Sequence, residues 1–108
     1  MEIRVGIKHD HDKLRLDLIP PEAIRALGEA VTYGAGKYPP ENWRGVEPER
    51  YFAAMLRHIL AWSEGEAIDP ESGLSHLAHV LSNAAFLVVL EKNKKIGKFN
   101  DYNPSFLP

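Results

Sequence analysis

The stretch 77–90 constrains the fold most, because its apolar residues would lie on nearly every side of a helix. A helix of that kind must be covered all round. Its longest uninterrupted apolar run, 84–90, is too short to cross a bilayer. Three helices in one small domain cannot easily cover it either. We therefore predict a homodimer or larger homo-oligomer, with this helix near the subunit contact.

Two amphipathic helices precede this stretch. The proline pair 20–21 opens the first, since proline is tolerated at the first helical position, and Gly34 and Gly36 are expected to end it. The second is predicted from near Pro48 to about Glu64. The side chains expected to be buried on this second helix are Phe52, Met55, Leu56, Ile59, Leu60 and Ala61.

The third helix is predicted to begin with Asp69 as N-cap and Pro70 in its first turn, and to run to about Asn93. Alternation of apolar and charged residues over 14–19 predicts an extended segment laid on the core. The tail 94–108 is either a loose end or an arm on a neighbour. The predicted fold is all-α, a single domain over 1–108 with three main helices and an extended N-terminal arm.

Composition excludes several classes of function. The absence of cysteine removes disulfides, thiolate metal sites and a cysteine nucleophile, and agrees with a reducing cytoplasm. A net charge of −2 gives no broad basic surface for duplex nucleic acid. Residues 1–6 lack the apolar core of a signal peptide. We predict a cytoplasmic protein whose partner is a small molecule rather than a membrane.

Three polar side chains, His76, His79 and Asn83, interrupt the apolar stretch at i, i+3 and i+7 and so share one stripe. Burying one such group without a partner costs about 1–3 kcal/mol. The stripe must be satisfied by its own members, by a loop, by a metal ion or by a ligand. A single histidine here would more often be paired within the protein, whereas three polar residues favour a functional site.

Acidic residues gather between the second and third helices: Glu64, Glu66, Asp69 and Glu71. Capping and the helix dipole explain Asp69 and Glu71 structurally, but carboxylates combined with phosphate oxygens also hold Mg²⁺. On one continuous helix His79 would lie about 12 Å beyond Glu71, too far to share one ion. An extended site, with a nucleotide lying along it, is the functional interpretation.

Cations and aromatic residues elsewhere complete a possible nucleotide pocket. If Arg57 and His58 on the second helix face the histidine stripe, an arginine suited to phosphate oxygens enters the same cleft. Arg57 is equally explained as a solvated surface residue. Tyr38 and Trp43 could stack on a base or simply anchor their loop. Further candidates for a phosphate cradle are Lys8, Lys13, Arg15, Lys37 and Arg44, although no Walker A or dinucleotide fingerprint is present.

Five segments carry a family resemblance: 12–23, 33–38, Asn42-Trp43, Arg57-His58 and 69–79. Together they resemble the phage dATP/dGTP diphosphohydrolase family, and the similarity covers residues 8–91. The resemblance implies cleavage of dATP or dGTP to the monophosphate and pyrophosphate with a divalent metal, Mg²⁺ or Mn²⁺. It also implies a distant relation to the helical, oligomeric all-α NTP pyrophosphohydrolases.

The sequence departs from those pyrophosphohydrolases at their metal site. They carry Glu-Glu-x-x-Glu and a later Glu-x-x-Asp, whereas the corresponding helices here carry Arg57-His58 and His76-x-x-His79. Imidazoles replace carboxylates poorly at a Mg²⁺ site.

The leading hypothesis assigns the following roles. The catalytic candidates are His58, His79, Asp69 and Glu71, and the metal ligands are Asp69, Glu71, His76 and His79. The substrate-binding candidates are Lys13, Arg15, Lys37, Tyr38, Trp43, Arg44, Arg57 and Asn83.

Two alternatives belong to other classes. The first is a non-catalytic phage nucleotide-binding protein, a sponge or sensor, which keeps the pocket without catalytic carboxylates. The second is a structural interaction module, in which alanine at His76 and His79 would reduce stability and abolish no affinity. A metal phosphohydrolase with a His-Asp pair in a helix does not fit, because the two His-Asp dipeptides, at 9–10 and 11–12, lie in the extended arm.

Overall fold

The chain folds as an all-α protein in a computed structural model that describes residues 5–93. No strand forms within this range, and a lone antiparallel bridge joins Ile68 to Ser75. The fold class predicted from the sequence is confirmed. The helices are α1 (Pro21–Lys37), α2 (Pro48–Ser63) and α3 (His76–Lys92), with short 3₁₀ turns at Leu16–Leu18 and Asn42–Gly45.

Helix α3 lies between the other two helices and packs against both. No Cα atom of α1 lies within 8 Å of one in α2, so α3 forms the floor of the space between them. In the described part of the chain, the apolar side chains that become fully buried are Ala30, Ala78 and Leu90.

The predicted end of α1 is wrong. The helix continues through Gly34 and Gly36 to Lys37, and neither glycine adopts a positive φ. Glycine lowers the stability of a helix without having to end it. The proline pair 39–40 supplies the stop, because a residue before proline avoids helical geometry, and Tyr38 has φ −130° and ψ 155°.

The predicted start of α3 is also wrong. The helix begins at His76 with Ser75 as N-cap, whose hydroxyl accepts the Leu77 N–H at 3.1 Å. Asp69 caps a separate turn that comes before it, accepting from the N–H groups of Glu71 and Ser72. Gly73 then reverses the chain with φ +76°, a conformation that glycine adopts without strain.

The N-terminal segment does not lie on the core. Leu16–Leu18 form a 3₁₀ turn instead of an extended strand. Leu14, Leu16 and Leu18 are 87%, 66% and 69% exposed, and this turn contacts none of the helices. The alternating pattern predicted that one face of this segment would be buried, but nothing within residues 5–93 covers that face.

No helix within 5–93 has the length and apolarity needed to span a bilayer. The predictions made for residues 1–4 and for the tail after Asn93 lie outside the described residues.

Candidate functional site

Three histidines meet where α2 and α3 pack together. The rings of His58 and His79 are stacked, with centroids 4.6 Å apart and planes inclined by 14°. The Nδ1 atoms of His58 and His76 are 2.9 Å apart. Tyr33 of α1 contacts the His79 ring edge-on, with ring centroids 6.0 Å apart. The cluster therefore involves all three helices.

Glu66 pairs with the most buried histidine. Its Oε1 atom lies 2.7 Å from Nε2 of His76, a side chain that is 5% exposed. The irregular segment between α2 and α3 turns back here, since the His76 N–H donates to the carbonyl of Ala67. No pattern in the sequence distinguishes Glu66 from the acidic residues around it, and Glu66 is absent from the predicted site.

A second polar group contains Asp69, Ser72 and His79. The Ser72 hydroxyl donates to Asp69 at 2.8 Å and lies 2.7 Å from Nε2 of His79, which is 3.4 Å from the Asp69 carboxylate. A straight helix would have separated Asp69 from His79 by about 15 Å along its axis. The turn at 69–73 removes that separation and brings Asp69 into the cluster.

Burial controls the charge state of this cluster. It lowers the pKa of His58 and of His79, and the neighbouring imidazoles lower both further. Burial alone would raise the pKa of Asp69, but hydrogen bonds from Ser72 and from the N–H groups of Glu71 and Ser72 outweigh it and lower that pKa. His58 and His79 are thus held neutral while Asp69 is held ionised.

Glu71 faces α1 instead of the histidines. Its Oε1 atom is 2.8 Å from Nζ of Lys37 and 3.5 Å from the Tyr33 hydroxyl. Lys37 also lies over the rings of Tyr33 and Tyr38, at 5.7 and 5.5 Å from their centroids. This exposed ion pair fastens the turn at 69–73 to the end of α1.

The four predicted metal ligands do not converge. Asp69 and His79 lie side by side, but Glu71 is paired with Lys37, and both ring nitrogens of His76 are engaged. Across residues 5–93, no three histidine, aspartate or glutamate side chains are arranged to hold a metal ion. The residues as they stand do not fit a cage made wholly of protein ligands.

A cavity of about 590 Å³ opens between α1 and α2, above α3. That volume falls within the roughly 300–1,000 Å³ typical of small-molecule sites. Neither Arg50 nor Arg57 forms a salt bridge with a residue in 5–93. The charged, aromatic and hydroxyl- or amide-bearing side chains that line the cavity include Tyr38, Trp43, Arg50, Tyr51, Arg57, Ser82, Asn83 and Phe86.

Trp43 is an anchor for its loop. Its ring stacks on Phe86 with centroids 4.7 Å apart, and the Arg44 guanidinium lies 4.4 Å from its centroid. The Tyr51 hydroxyl donates to the Trp43 carbonyl at 2.8 Å, and Arg44 is also paired with Glu41. Tyr38, which is 53% exposed, offers a freer aromatic face at the cavity wall.

Four of the predicted substrate-binding residues do not line the cavity: Lys13, Arg15, Lys37 and Arg44. Arg15 makes a two-point ion pair with Asp17, both bonds 2.8 Å long, in the exposed turn before α1. Lys13 is exposed in the same segment. By contrast, Arg57 and Asn83 both line the cavity. Arg57 precedes His58 on α2, and Asn83 lies one turn beyond His79 on α3.

Protein atoms satisfy the polar stripe of α3. His76 pairs with Glu66 and His58, His79 pairs with Ser72, and the Asn83 amide donates to the His79 carbonyl at 2.7 Å. Over residues 5–93 no buried side-chain nitrogen or oxygen lacks a partner. Of the alternatives open from the sequence, internal pairing and the loop account for the stripe. The open space for a ligand lies beside the stripe, in the cavity.

Comparisons with known proteins agree with the resemblance noted in the sequence. Residues 4–100 match the family described as "dATP/dGTP diphosphohydrolase, N-terminal". A protein named dATP/dGTP diphosphohydrolase, from Salmonella phage PMBT28, is 36% identical over 89 residues, which make up 82% of this chain and 31% of that protein. The chain thus spans about a third of this relative's length. No solved structure matches it.

Proposed function

This chain belongs to the dATP/dGTP diphosphohydrolase, N-terminal, family, and we propose that it binds dATP or dGTP in the cavity between α1 and α2 and hydrolyses it to the monophosphate and pyrophosphate. The name of the phage relative supports this substrate class.

The observation that carries the proposal is the pairing of two chemistries at one place. Arg50 and Arg57 line the cavity without ion-pair partners in 5–93, and a guanidinium matches phosphate oxygens in charge and geometry. The neutral histidines do not line the cavity, but they lie next to its Arg57 end, because His58 follows Arg57 on α2 and Asn83 bonds to the His79 carbonyl. A triphosphate at Arg57 would put its phosphorus atoms next to candidate bases.

In the proposed reaction, water attacks the α-phosphorus of the nucleotide. The bond from that phosphorus to the bridging oxygen breaks, and pyrophosphate leaves. His58 or His79 accepts the proton of the water, a role that needs a neutral imidazole. Arg57 and Lys37 offset the negative charge that develops on the phosphate oxygens. Lys37 would do so after exchanging Glu71 for phosphate.

Metal dependence is part of the proposal. Mg²⁺ is usually held by one or two carboxylates together with substrate phosphates and water. Asp69 lies beside His79, and Glu71, on the same turn, is paired with Lys37; these two carboxylates would meet such an ion if the nucleotide carried it in. The roles proposed for the histidines, Arg57 and Lys37 do not depend on this arrangement.

The test is direct. Purified protein is incubated with each of the four dNTPs and with Mg²⁺ or Mn²⁺, and both monophosphate and pyrophosphate are measured. Release of both products from dATP or dGTP is expected, and His58→Gln should slow it. If wild-type protein releases neither product with either metal, hydrolysis by this chain is refuted.

A binding protein without catalysis is the second candidate. This candidate is favoured by the predicted metal-binding side chains, because Glu71 is paired with Lys37 and His76 with Glu66. Calorimetry that detects dATP binding, with intact nucleotide recovered afterwards, would select this candidate over the first.

We also propose that the chain assembles into a homo-oligomer. Leu56 and Leu60 on α2 are 50% and 59% exposed, and Val88 on α3 is 51% exposed. A second copy packing on these helices would remove this apolar area from water.

A further inference from the structure

The contact between His58 and His76 joins two ring nitrogens, and only one of the two can donate a hydrogen. The Nδ1 atoms lie 2.9 Å apart. The remaining nitrogen of His76, Nε2, lies 2.7 Å from Oε1 of Glu66. Three side chains thus form one hydrogen-bonded chain, which runs from the half-exposed Glu66 through the buried His76 to His58.

The number of hydrogens on each ring fixes the direction of these hydrogen bonds. A carboxylate only accepts hydrogen bonds, so Nε2 of His76 must donate to Glu66. A neutral His76 then has its lone pair on Nδ1 and accepts the Nδ1–H of His58. A neutral His58 with its hydrogen on Nδ1 must have its lone pair on Nε2. Glu66 thereby specifies which nitrogen of His58 is basic, although the two residues do not touch.

We propose that Glu66 is a positioning residue that acts through His76 to hold His58 with Nε2 as its proton-accepting atom. The inference rests on the proposed function, in which His58 accepts a proton from the attacking water. It deepens that function by naming the atom and the residue that selects it. In this way a carboxylate fixes both the tautomer and the ring orientation of the histidine that acts as general base.

The opposite arrangement makes an opposite prediction. A doubly protonated His76 would donate from both nitrogens, and His58 would then accept at Nδ1 and carry its hydrogen on Nε2. The neutral arrangement accounts for both hydrogen bonds of His76 without an added proton. Stacking on His79 sets the plane of the His58 ring in either arrangement, so the tautomer itself is what distinguishes them.

The first experiment reads the tautomer and needs no substrate. Protein labelled with ¹⁵N-histidine is prepared free of metal, and long-range ¹H–¹⁵N correlations are recorded at mildly alkaline pH, with His58→Gln to assign the signals. His58 is expected as the Nδ1–H form, although a histidine free in water prefers Nε2–H. His58 found with its hydrogen on Nε2 in wild-type protein overturns the inference.

Variants then test the role of Glu66. Glu66→Ala removes the acceptor, and His58 should move towards the Nε2–H form. Glu66→Gln keeps an oxygen acceptor and should keep the wild-type tautomer. Glu64→Ala is the matched control, an exposed acid two residues earlier. A His58 tautomer that is unchanged in Glu66→Ala overturns the positioning role.

Kinetics separate this inference from the proposed function. In Glu66→Ala, kcat for dATP should fall about tenfold or more with KM nearly unchanged, because general-base contributions lie at roughly 10²–10⁴. Glu66→Gln should recover most of kcat. If wild-type protein has the predicted tautomer but hydrolyses no dNTP, the proposed function fails and the hydrogen-bonded chain stands. If it hydrolyses dATP and Glu66→Ala is fully active, the inference fails alone.

Discussion

Arg57 and His58 are neighbours on α2, yet their side chains face different surroundings. Arg57 lines the cavity and makes no ion pair with a residue in 5–93. His58 turns into the packed interface with α3, where two other imidazoles contact it. Successive residues on a helix point about 100° apart, so one turn of α2 supplies both the proposed phosphate-binding side chain and the candidate base.

Arg57→Ala is expected to weaken dATP binding about tenfold or more, because a hydrogen bond to a charged group contributes roughly 1.5–3 kcal/mol. Calorimetric titration with dATP measures the effect. Arg15→Ala is the matched control, an exposed arginine that is paired with Asp17 and is not part of the cavity lining. Equal affinities for wild-type protein and Arg57→Ala would remove this residue from the site.

Stability should decrease as the pH falls through 6.5, the ordinary pKa of histidine. Burial lowers the pKa of His58 and His79 in the folded chain, so between the lowered values and 6.5 the unfolded chain binds more protons. The stabilisation is therefore present above 6.5 and is lost below it. Loss of the stability contributed by ionised Asp69 follows in a separate, more acidic window, near and below 3.8.

Thermal unfolding across this pH range checks the sign. The decrease in Tm between neutral and mildly acidic pH should be smaller in His79→Gln than in wild-type protein. The exposed His11→Gln is the control and should leave the decrease unchanged. A wild-type Tm that rises on acidification would contradict the assignment of lowered pKa values.

At the scale of elements, the segment 66–75 decides the site. The His76 N–H donates to Ala67, the Gly73 N–H donates to Asp69, and the Asp69 N–H donates to Leu74, so the segment closes on itself before α3 begins. These bonds bring Glu66 to His76 and Asp69 to His79. A helix over the same residues would have carried both carboxylates away along its axis.

Gly73→Ala should destabilise the fold by about 1–2 kcal/mol, because φ +76° is unfavourable for a residue with a Cβ atom. No atom lies within 4 Å of the added Cβ, so the effect is conformational. Gly28→Ala is the opposite control, since a helical glycine with open space around it should give a gain of about 0.5–1 kcal/mol. Urea denaturation measures both. A Gly73→Ala variant as stable as wild type would show that the turn is not held in this conformation.

At the scale of the whole molecule, one chain covers little of its own apolar surface. Helix α3 is flanked on two sides, but Leu77 and Leu81 are still 38% and 39% exposed. Leu60 and Trp62 of α2 are 59% and 46% exposed, although the apolar pattern of that helix predicted Leu60 as buried. Contiguous apolar surface on a small chain is typical of a subunit interface.

Sedimentation velocity is expected to give a mass at least twice the 12.1 kDa of the chain. Leu60→Glu places a charge on the exposed face of α2 and should shift the population towards monomer, since burying an unpaired charge opposes association. Lys8→Glu, in the exposed N-terminal segment, is the control and should not change the mass. A wild-type protein that sediments as a monomer at micromolar concentration would end the proposal of an oligomer.

The sequence by itself determined the all-α class and the approximate positions of three helices, and it nominated candidate site residues on α2 and α3. These follow from local rules, because apolar periodicity and proline position act within a few residues. The same rules misplaced the end of α1 and the start of α3. A proline that suits a first helical turn, as at position 70, also suits an irregular turn, and only contacts distant along the chain decide between them.

The tertiary structure decided which of those residues meet. It paired Glu66 with His76, moved Asp69 onto His79, directed Glu71 to Lys37 and left Lys13 and Arg15 outside the cavity. Each pairing joins elements whose relative placement depends on how α1 and α2 pack on α3. A pattern read along one chain carries no information about that packing angle, and for this reason the residues could be nominated but their partners could not.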